Sequence, residues 1–155
     1  MPSLTVRGRI RRPRSEVYAF LADVTTRPHL YGSNFTDFRV VSDSAIGAGA
    51  AFRYVLHFGE GEEVETRVQV AEAEPSRRLI EDADDGYVRY RTTWELADAA
   101  EELGSTAVNL RLDYQPSGGR AGLLLDWLFG RRALKQTYLV ELARLKLALE
   151  GGRPA

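Results

Sequence analysis

The sequence predicts an α+β fold, in which a curved antiparallel sheet of about seven strands wraps around a long C-terminal helix. Three observations support this. Short runs of alternating apolar and polar residues follow one another, separated by turn residues, which is typical of an antiparallel meander with one buried face. Apolar residues at three- and four-residue spacing come directly after the first of these runs. A second, longer stretch with helical spacing covers about 121–150.

The first strand and two short helices are predicted near the N-terminus. Residues 4–10 alternate as in a half-buried strand, and Pro13 then suits the first turn of a helix. The apolar positions of residues 17–24 have helical spacing. Thr25-Thr26-Arg27-Pro28 ends this helix, and either threonine is able to cap a second one. We therefore expect two short helices after the first strand.

Six further strands are predicted, four of which (52–58, 64–70, 88–96 and 108–114) show clear period-two alternation. They lie at about 35–41, 52–58, 64–70, 79–80, 88–96 and 108–114. Gly59-Glu60-Gly61 and Pro75-Ser76 are turn sequences, and Asp84-Asp85-Gly86 is a hairpin signal. Since the charged residues alternate with the apolar ones, we expect most charges on the outer, solvated face of the sheet.

The last helix, over about 121–150, carries an apolar stripe that includes the charge of Arg131. At about 1.5 Å per residue it would span roughly 45 Å, enough to cross the concave face of the sheet. Its first part, Leu123–Phe129, is apolar almost all round, unlike a helix packed on one side only. We expect a loop or a second subunit, as in a homodimer, to cover this part, ahead of a ligand and then a membrane surface.

Length and composition set further limits on the protein. The 155 residues suit one domain over 1–150, followed by a flexible tail over 151–155. The absence of cysteine excludes disulfides, thiolate zinc sites and a cysteine nucleophile. With 21 basic and 22 acidic residues, the chain does not have the positive charge of a general nucleic-acid binder. It also lacks a signal-peptide core and a run of about 20 apolar residues, so we expect a cytoplasmic protein without stable membrane insertion.

Several short motifs stand in a characteristic order along the chain. They are Arg12-Pro13-Arg14-Ser15-Glu16-Val17-Tyr18-Ala19-Phe20-Leu21-Ala22-Asp23, Ile46-Gly47-Ala48-Gly49, Pro75-Ser76-Arg77-Arg78-Leu79 and Thr92-Thr93-Trp94-Glu95-Leu96. In this order they resemble the START-like (SRPBCC) superfamily, in its polyketide cyclase/dehydrase-like branch. The resemblance covers nearly the whole chain and implies the helix-grip fold. It implies no single activity, because the superfamily contains carriers, receptors, cyclases and chaperone activators.

The resemblance implies a cavity between the sheet and the C-terminal helix that takes a small hydrophobic ligand. Strand parity and the helix stripe independently direct aromatic and hydroxyl side chains toward the same space. The expected ligand-binding residues are Tyr54, Leu56, Thr66, Val68, Tyr90, Thr92, Leu110, Leu124, Trp127, Leu128, Arg131 and Tyr138. A buried hydroxyl needs a partner, which is either an internal hydrogen-bond network or the ligand.

The candidates for acid–base chemistry are Tyr90, Arg131 and His29, although no complete catalytic arrangement can be assembled from them. His29 is a candidate because the second short helix borders the cavity mouth in the family, and a solvated or capping histidine is the alternative. No cofactor or metal is predicted. The two histidines have no ligand-spaced partner, and Gly47-Ala48-Gly49 precedes a strand instead of a helix.

Three functions remain open at this point. The first is binding or transport of a lipid, isoprenoid or aromatic, polyketide-like compound, which requires no catalytic group. The second is a polyketide cyclase/aromatase or dehydrase-like enzyme. The third is an accessory protein that docks a partner through the Leu123–Phe129 face.

Overall fold

The computed structural model describes residues 3–58, 61–116 and 131–151. The strands are β1 (Ser3–Ile10), β2 (Phe35–Val40), β3 (Ala51–Phe58), β4 (Glu62–Glu74), β5 (Arg78–Asp84), β6 (Val88–Asp98) and β7 (Thr106–Pro116). The helices are α1 (Arg14–Ala22), a 3₁₀ helix (Val24–His29) and α2 (Arg131–Lys146), which continues as a π-helical turn (Leu147–Gly151). The two short helices after the first strand are therefore confirmed.

The seven strands form one antiparallel sheet in the order β1-β7-β6-β5-β4-β3-β2. Strands β2 to β7 are a meander in which each strand pairs with its neighbours in the chain. The first strand joins at the far end, where Ser3 lies opposite Asp113 and Ile10 opposite Thr106. This arrangement confirms the predicted antiparallel sheet of seven strands.

Local irregularities bend the sheet where it curves around the helix. The pairing of β4 with β5 shifts register between Val70 and Glu72, and that of β2 with β3 shifts between Thr36 and Arg39. Such shifts bend a strand and increase its twist. Between β5 and β6, Gly86 lies in the turn of the predicted hairpin and has a φ of 87°, a conformation that glycine adopts without strain.

The core lies between the concave face of the sheet and the helices. Trp94, Phe52 and Leu145 are fully buried there. Helix α2 crosses β1 closely, because Gly8 has no side chain: a Cβ atom at this position would stand 2.9 Å from Cδ2 of Leu142. The close contact fixes α2 against the edge of the sheet, so that the rest of its inner face points to the middle strands.

The described part of the C-terminal helix is shorter than the predicted 121–150. It begins at Arg131, and its π-helical turn reaches Gly151, one residue into the predicted tail. The predicted apolar face Leu123–Phe129 lies outside the described residues, as do three expected ligand-binding residues, Leu124, Trp127 and Leu128. Among the helices that the structure describes, none is long and apolar enough to cross a membrane.

Candidate functional site

A cavity of about 150 Å³ lies between the concave face of the sheet and α2. Strands β3 to β6 line it with side chains two residues apart, because alternate residues of a strand share one face. Helix α2 contributes residues three or four positions apart, which share one helix face. The lining residues are Tyr31, Phe35, Tyr54, Leu56, Thr66, Val68, Glu81, Ala83, Asp85, Tyr90, Thr92, Leu134, Thr137, Tyr138 and Glu141.

Most of the expected ligand-binding residues that the structure describes lie in this wall. They are Tyr54, Leu56, Thr66, Val68, Tyr90, Thr92 and Tyr138. Leu110 is an exception: it is fully buried opposite Trp94, in the core next to the cavity, and does not line it. Arg131 is the first residue of α2, and its side chain lies outside the described residues.

The candidate His29 is not part of the cavity. It is exposed at the end of the 3₁₀ helix, where its ring centroid lies 6.3 Å from that of Phe20. Its exposure agrees with the alternative of a solvated histidine, and the buried side chain of this part of the helix is that of Arg27. Of the two acid–base candidates whose side chains the structure describes, Tyr90 lines the cavity, and its hydroxyl donates to Asp85 Oδ2 at 3.2 Å.

Two tyrosines of the cavity, Tyr54 and Tyr138, remain phenols at neutral pH. Burial raises the pKa of Tyr54 far above its ordinary value, and the nearby Glu141 raises it further, while a hydrogen bond with Thr66 opposes the rise. Burial also raises the pKa of Tyr138, against a hydrogen bond with Thr92. Both hydroxyls therefore keep their protons and can donate hydrogen bonds.

A buried ion pair, absent from the sequence-based predictions, supports the cavity wall. Arg27 is fully buried, and its Nη2 donates to Oε1 of Glu81 and, at 2.7 Å, to the carbonyl oxygen of Leu21. Its guanidinium carbon lies 5.9 Å from the ring centroid of Phe52. Nε and Nη1 of Arg27 have no hydrogen-bond partner among the described residues. Burial lowers the pKa of Arg27, but the attraction to Glu81, Tyr31 and Glu141 and the hydrogen bond with Glu81 together outweigh it. The net shift is upward, so the guanidinium stays charged.

Glu141, also absent from the predictions, is the most unusual group of the cavity. It lines the wall from α2 and makes no hydrogen bond within the described parts of the chain. Burial raises its pKa to about 8; the charge of Arg27 opposes this rise and that of Glu81 adds to it. The side chain keeps some accessible surface because it faces the cavity. At neutral pH it is therefore mostly a carboxylic acid, able to donate a proton.

A wider groove of about 470 Å³ lies outside the cavity, between residues 30–35 and α2. The groove and the cavity share four lining residues, Tyr31, Phe35, Thr137 and Glu141. The rings of Tyr31 and Phe35 are stacked with their centroids 4.7 Å apart. Glu141 thus stands where the cavity meets a path to solvent.

The outer face of the sheet carries a larger depression, of about 560 Å³, but most of its charged residues are already paired. Nε and Nη2 of Arg91 donate to the two carboxylate oxygens of Asp82 at 2.8 and 2.9 Å. Arg89 lies 3.5 Å from Asp84. Because these exposed pairs satisfy one another, we place the candidate site in the inner cavity. No group of three or more metal-ligating side chains occurs in the described ranges.

Arg27, Glu81 and Glu141 were not predicted as site residues, although the sequence contains a signal for the two glutamates. Glu81 shares the strand parity of Leu79 and Ala83, which predicts an inward side chain, and Glu141 follows Tyr138 by three positions on the helix stripe. Arg27 lies in a short helix without apolar periodicity, so no local pattern indicates its burial.

Comparison with known proteins places this geometry in a family. The family model described as polyketide cyclase / dehydrase and lipid transport matches residues 1–150. The KanY protein, solved by NMR, is 22% identical, with a TM-score of 0.77 over 97% of this chain and 98% of its own. TTHA0849 from Thermus thermophilus is 22% identical, with a TM-score of 0.74 over 99% of this chain and 100% of its own.

DynU16, a protein of the dynemicin biosynthetic locus, is also similar: it is 22% identical, with a TM-score of 0.63, and matches 98% of this chain and 48% of its own. No curated protein matches the sequence. At this identity the solved structures show the fold, which is the helix-grip arrangement that the sequence motifs indicate. The match of the family model over 1–150 shows that the chain belongs to the polyketide cyclase/dehydrase and lipid transport family.

Proposed function

We propose that the protein binds a small, partly polar aromatic compound in the cavity between the sheet and α2. The carrying observation is the composition of the wall, in which rings and aliphatic groups alternate with hydroxyl and carboxyl groups. An apolar cavity of about 150 Å³ accommodates benzene, so the volume favours a compact ring over a long acyl chain. The family description, which combines polyketide chemistry with lipid transport, supports a ligand of this kind.

The polar groups of the wall set the specificity in this proposal. A ligand ring that buries about 150 Å² gains roughly 4 kcal/mol at 25 cal/mol per Å², before the cost of its immobilisation. Area alone thus gives weak binding. Hydrogen bonds from Tyr54 and Tyr138 add affinity only for ligands with an acceptor at a matching position.

Chemical-shift mapping by NMR tests this proposal. We expect 2-phenylethanol and acetophenone, at millimolar concentration, to shift the backbone resonances of Thr66, Tyr90 and Tyr138. Ala83→Phe fills the cavity and should abolish the shifts, whereas Ala107→Phe, on the exposed face of β7, should leave them unchanged. Circular dichroism serves as the control that both variants are folded. Shifts that are absent in the wild type, or that survive Ala83→Phe, would contradict the proposal.

A cyclase- or dehydrase-like enzyme is a second proposal, favoured by one group. Glu141 faces the cavity with a pKa of about 8, close to the value that suits general acid–base catalysis near neutral pH. As a carboxylate it would accept a proton from the carbon next to a ligand carbonyl. The C–H bond electrons then form an enolate, whose oxygen faces the phenols of Tyr54 and Tyr138.

Hydrogen–deuterium exchange of acetophenone measures this step directly. In D₂O, the protein should speed deuteration of the methyl group, and the rate should rise with pH through about 8. Glu141→Gln should abolish the acceleration, whereas Glu65→Gln, an exposed glutamate 3.3 Å from Arg53, should not. An acceleration that Glu141→Gln retains would exclude this residue as the base.

A further inference from the structure

The lining of the cavity is acidic. Glu81, Asp85 and Glu141 all face it, and no arginine, lysine or histidine belongs to the described part of its wall. The nearest buried cation, Arg27, stands behind the wall and binds Glu81. Even with this arginine counted, the surroundings of the cavity carry more potential negative than positive charge. Such a site attracts a cation more than an anion.

The three carboxyl groups differ in their partners. Glu81 accepts from Arg27. Asp85 accepts from the backbone N–H groups of Tyr87 and Val88, at 2.8 and 2.7 Å, so it is part of the hairpin structure. Glu141 has no hydrogen-bonding partner within the described residues, although protein encloses it except where it faces the cavity and the adjoining groove. A carboxyl group in this situation lacks a counter-charge that a ligand could supply.

Aromatic rings surround the same end of the cavity. The centroid of Tyr31 lies 4.7 Å from that of Phe35 and 5.1 Å from that of Tyr54, and the last two are 5.1 Å apart. All three rings line the cavity together with Glu141. A cation within about 6 Å of a ring face is attracted by the negative potential of the π system. A cluster of rings beside a free carboxyl group is therefore suited to an ammonium group.

We propose that the ligand carries a basic nitrogen, and that its ammonium group binds between the Glu141 carboxylate and the rings of Tyr31, Phe35 and Tyr54. This inference rests on the proposed binding function and names the chemical class of its ligand. The ammonium N–H groups donate to the carboxylate, and the aromatic part of the ligand packs against the apolar residues that line the cavity. Because Glu141 holds a proton at neutral pH in the empty protein, binding releases one proton to solvent.

Besides burial and the ligand, two charged groups set the protonation of Glu141: Arg27 on the 3₁₀ helix and Glu81 on β5. Tyr54 on β3, Tyr31 before β2 and Tyr138 on α2 are coupled to it, because the charge of Glu141 raises their pKa values. The tyrosines stay neutral over the range from pH 6 to pH 9, because their pKa values are raised. The pH dependence of binding in this range therefore reports mainly on Glu141.

Isothermal titration calorimetry with three matched probes tests the inference. Phenethylamine, 2-phenylethanol and acetophenone share one ring and differ in the group that would face Glu141. We expect the amine to bind at least ten-fold more tightly than the alcohol at pH 8. Its affinity should rise toward ten-fold per pH unit well below the pKa of about 8, because only the carboxylate form binds it. Titrations in buffers of different ionisation enthalpy should show release of one proton near pH 6, without any variant.

Glu141→Gln should remove the preference for the amine and its pH dependence, while Glu65→Gln keeps both. The inference is overturned if the alcohol or the ketone binds as tightly as the amine, or if the affinity for the amine falls as pH rises through 8. Either result would show that Glu141 faces a neutral group of the ligand and not an ammonium group. The cavity would still be a binding site. If none of the three probes binds, the proposed binding function itself fails, and the inference fails with it.

Discussion

Replacing Glu141 with glutamine should stabilise the protein at high pH and leave it unchanged at low pH. Glutamine keeps the size of the side chain but has no charge to bury. The pKa of Glu141 is about 8 in the folded protein, against an ordinary value of 4.5. Between these values the folded protein holds a proton that the unfolded chain has released. The free energy of unfolding therefore falls as pH rises from about 4.5 to about 8, and no further above it.

The difference between 4.5 and about 8, at about 1.4 kcal/mol per pH unit, gives an upper limit of about 5 kcal/mol. Because Glu141 borders the cavity and keeps some access to water, solvent recovers part of this energy. We expect Glu141→Gln to be more stable than the wild type by about 2–4 kcal/mol at pH 9, and by no more than about 1 kcal/mol at pH 5.

Urea unfolding, followed by circular dichroism at pH 5, 7 and 9, measures the difference. Glu65→Gln is the matched control, because the same change at an exposed position should give no pH-dependent difference. The reasoning would be refuted by a difference between Glu141→Gln and the wild type that is constant from pH 5 to pH 9. A variant that is less stable than the wild type at pH 9 would refute it as well.

Three further substitutions test the core, the helix contact and the hairpin. Arg27→Met leaves Glu81 buried without its partner, and urea unfolding at pH 7 should show a loss of about 3–5 kcal/mol. Gly8→Ala brings a methyl group to 2.9 Å from a Leu142 methyl carbon, and thermal unfolding should show a loss of about 1–3 kcal/mol. Asp85→Ala removes the acceptor of two backbone N–H groups in the hairpin, and urea unfolding should show a loss of about 1–2 kcal/mol.

Each of these three substitutions has a control that separates the stated cause from a non-specific loss of stability. Arg14→Met breaks a more exposed pair with Asp98 and should cost less than about 1 kcal/mol. Leu142→Ala makes room for the new methyl group, so in the double variant with Gly8→Ala the two losses should not add. Asp43→Ala, at an exposed position, should change little. Equal losses in a test variant and its control would contradict the corresponding explanation.

Strand parity accounts for the part of the site that the sequence predicted. A side chain on a strand points to the same face as those two residues away, so Tyr54 with Leu56, and Tyr90 with Thr92, reach one surface together. The same rule could not separate wall from core. Leu110 has inward parity as well, but it lies on β7 opposite Trp94, in the core next to the cavity, and does not line it.

The electrostatic part of the site depends on contacts between distant residues, which local patterns do not contain. Arg27 and Glu81 are 54 residues apart, and each is an ordinary charged residue until the fold brings the two together. The raised pKa of Glu141 likewise results from burial and from the sign of its neighbours, not from its position on the helix stripe. His29 was a site candidate but is exposed, because a helix as short as this one has no periodicity from which to assign its inward residue.

The pairing of the first strand with the last has a consequence for the order of folding during synthesis. Ser3 finds its partner Asp113 only after about a hundred further residues have been made, whereas β2 to β6 pair with near neighbours as they emerge. Closing so long a loop is entropically unfavourable, and contacts of this separation slow folding. Until then β1 is an unpaired strand, and the outward charges of Arg7 and Arg9 oppose its association with other chains.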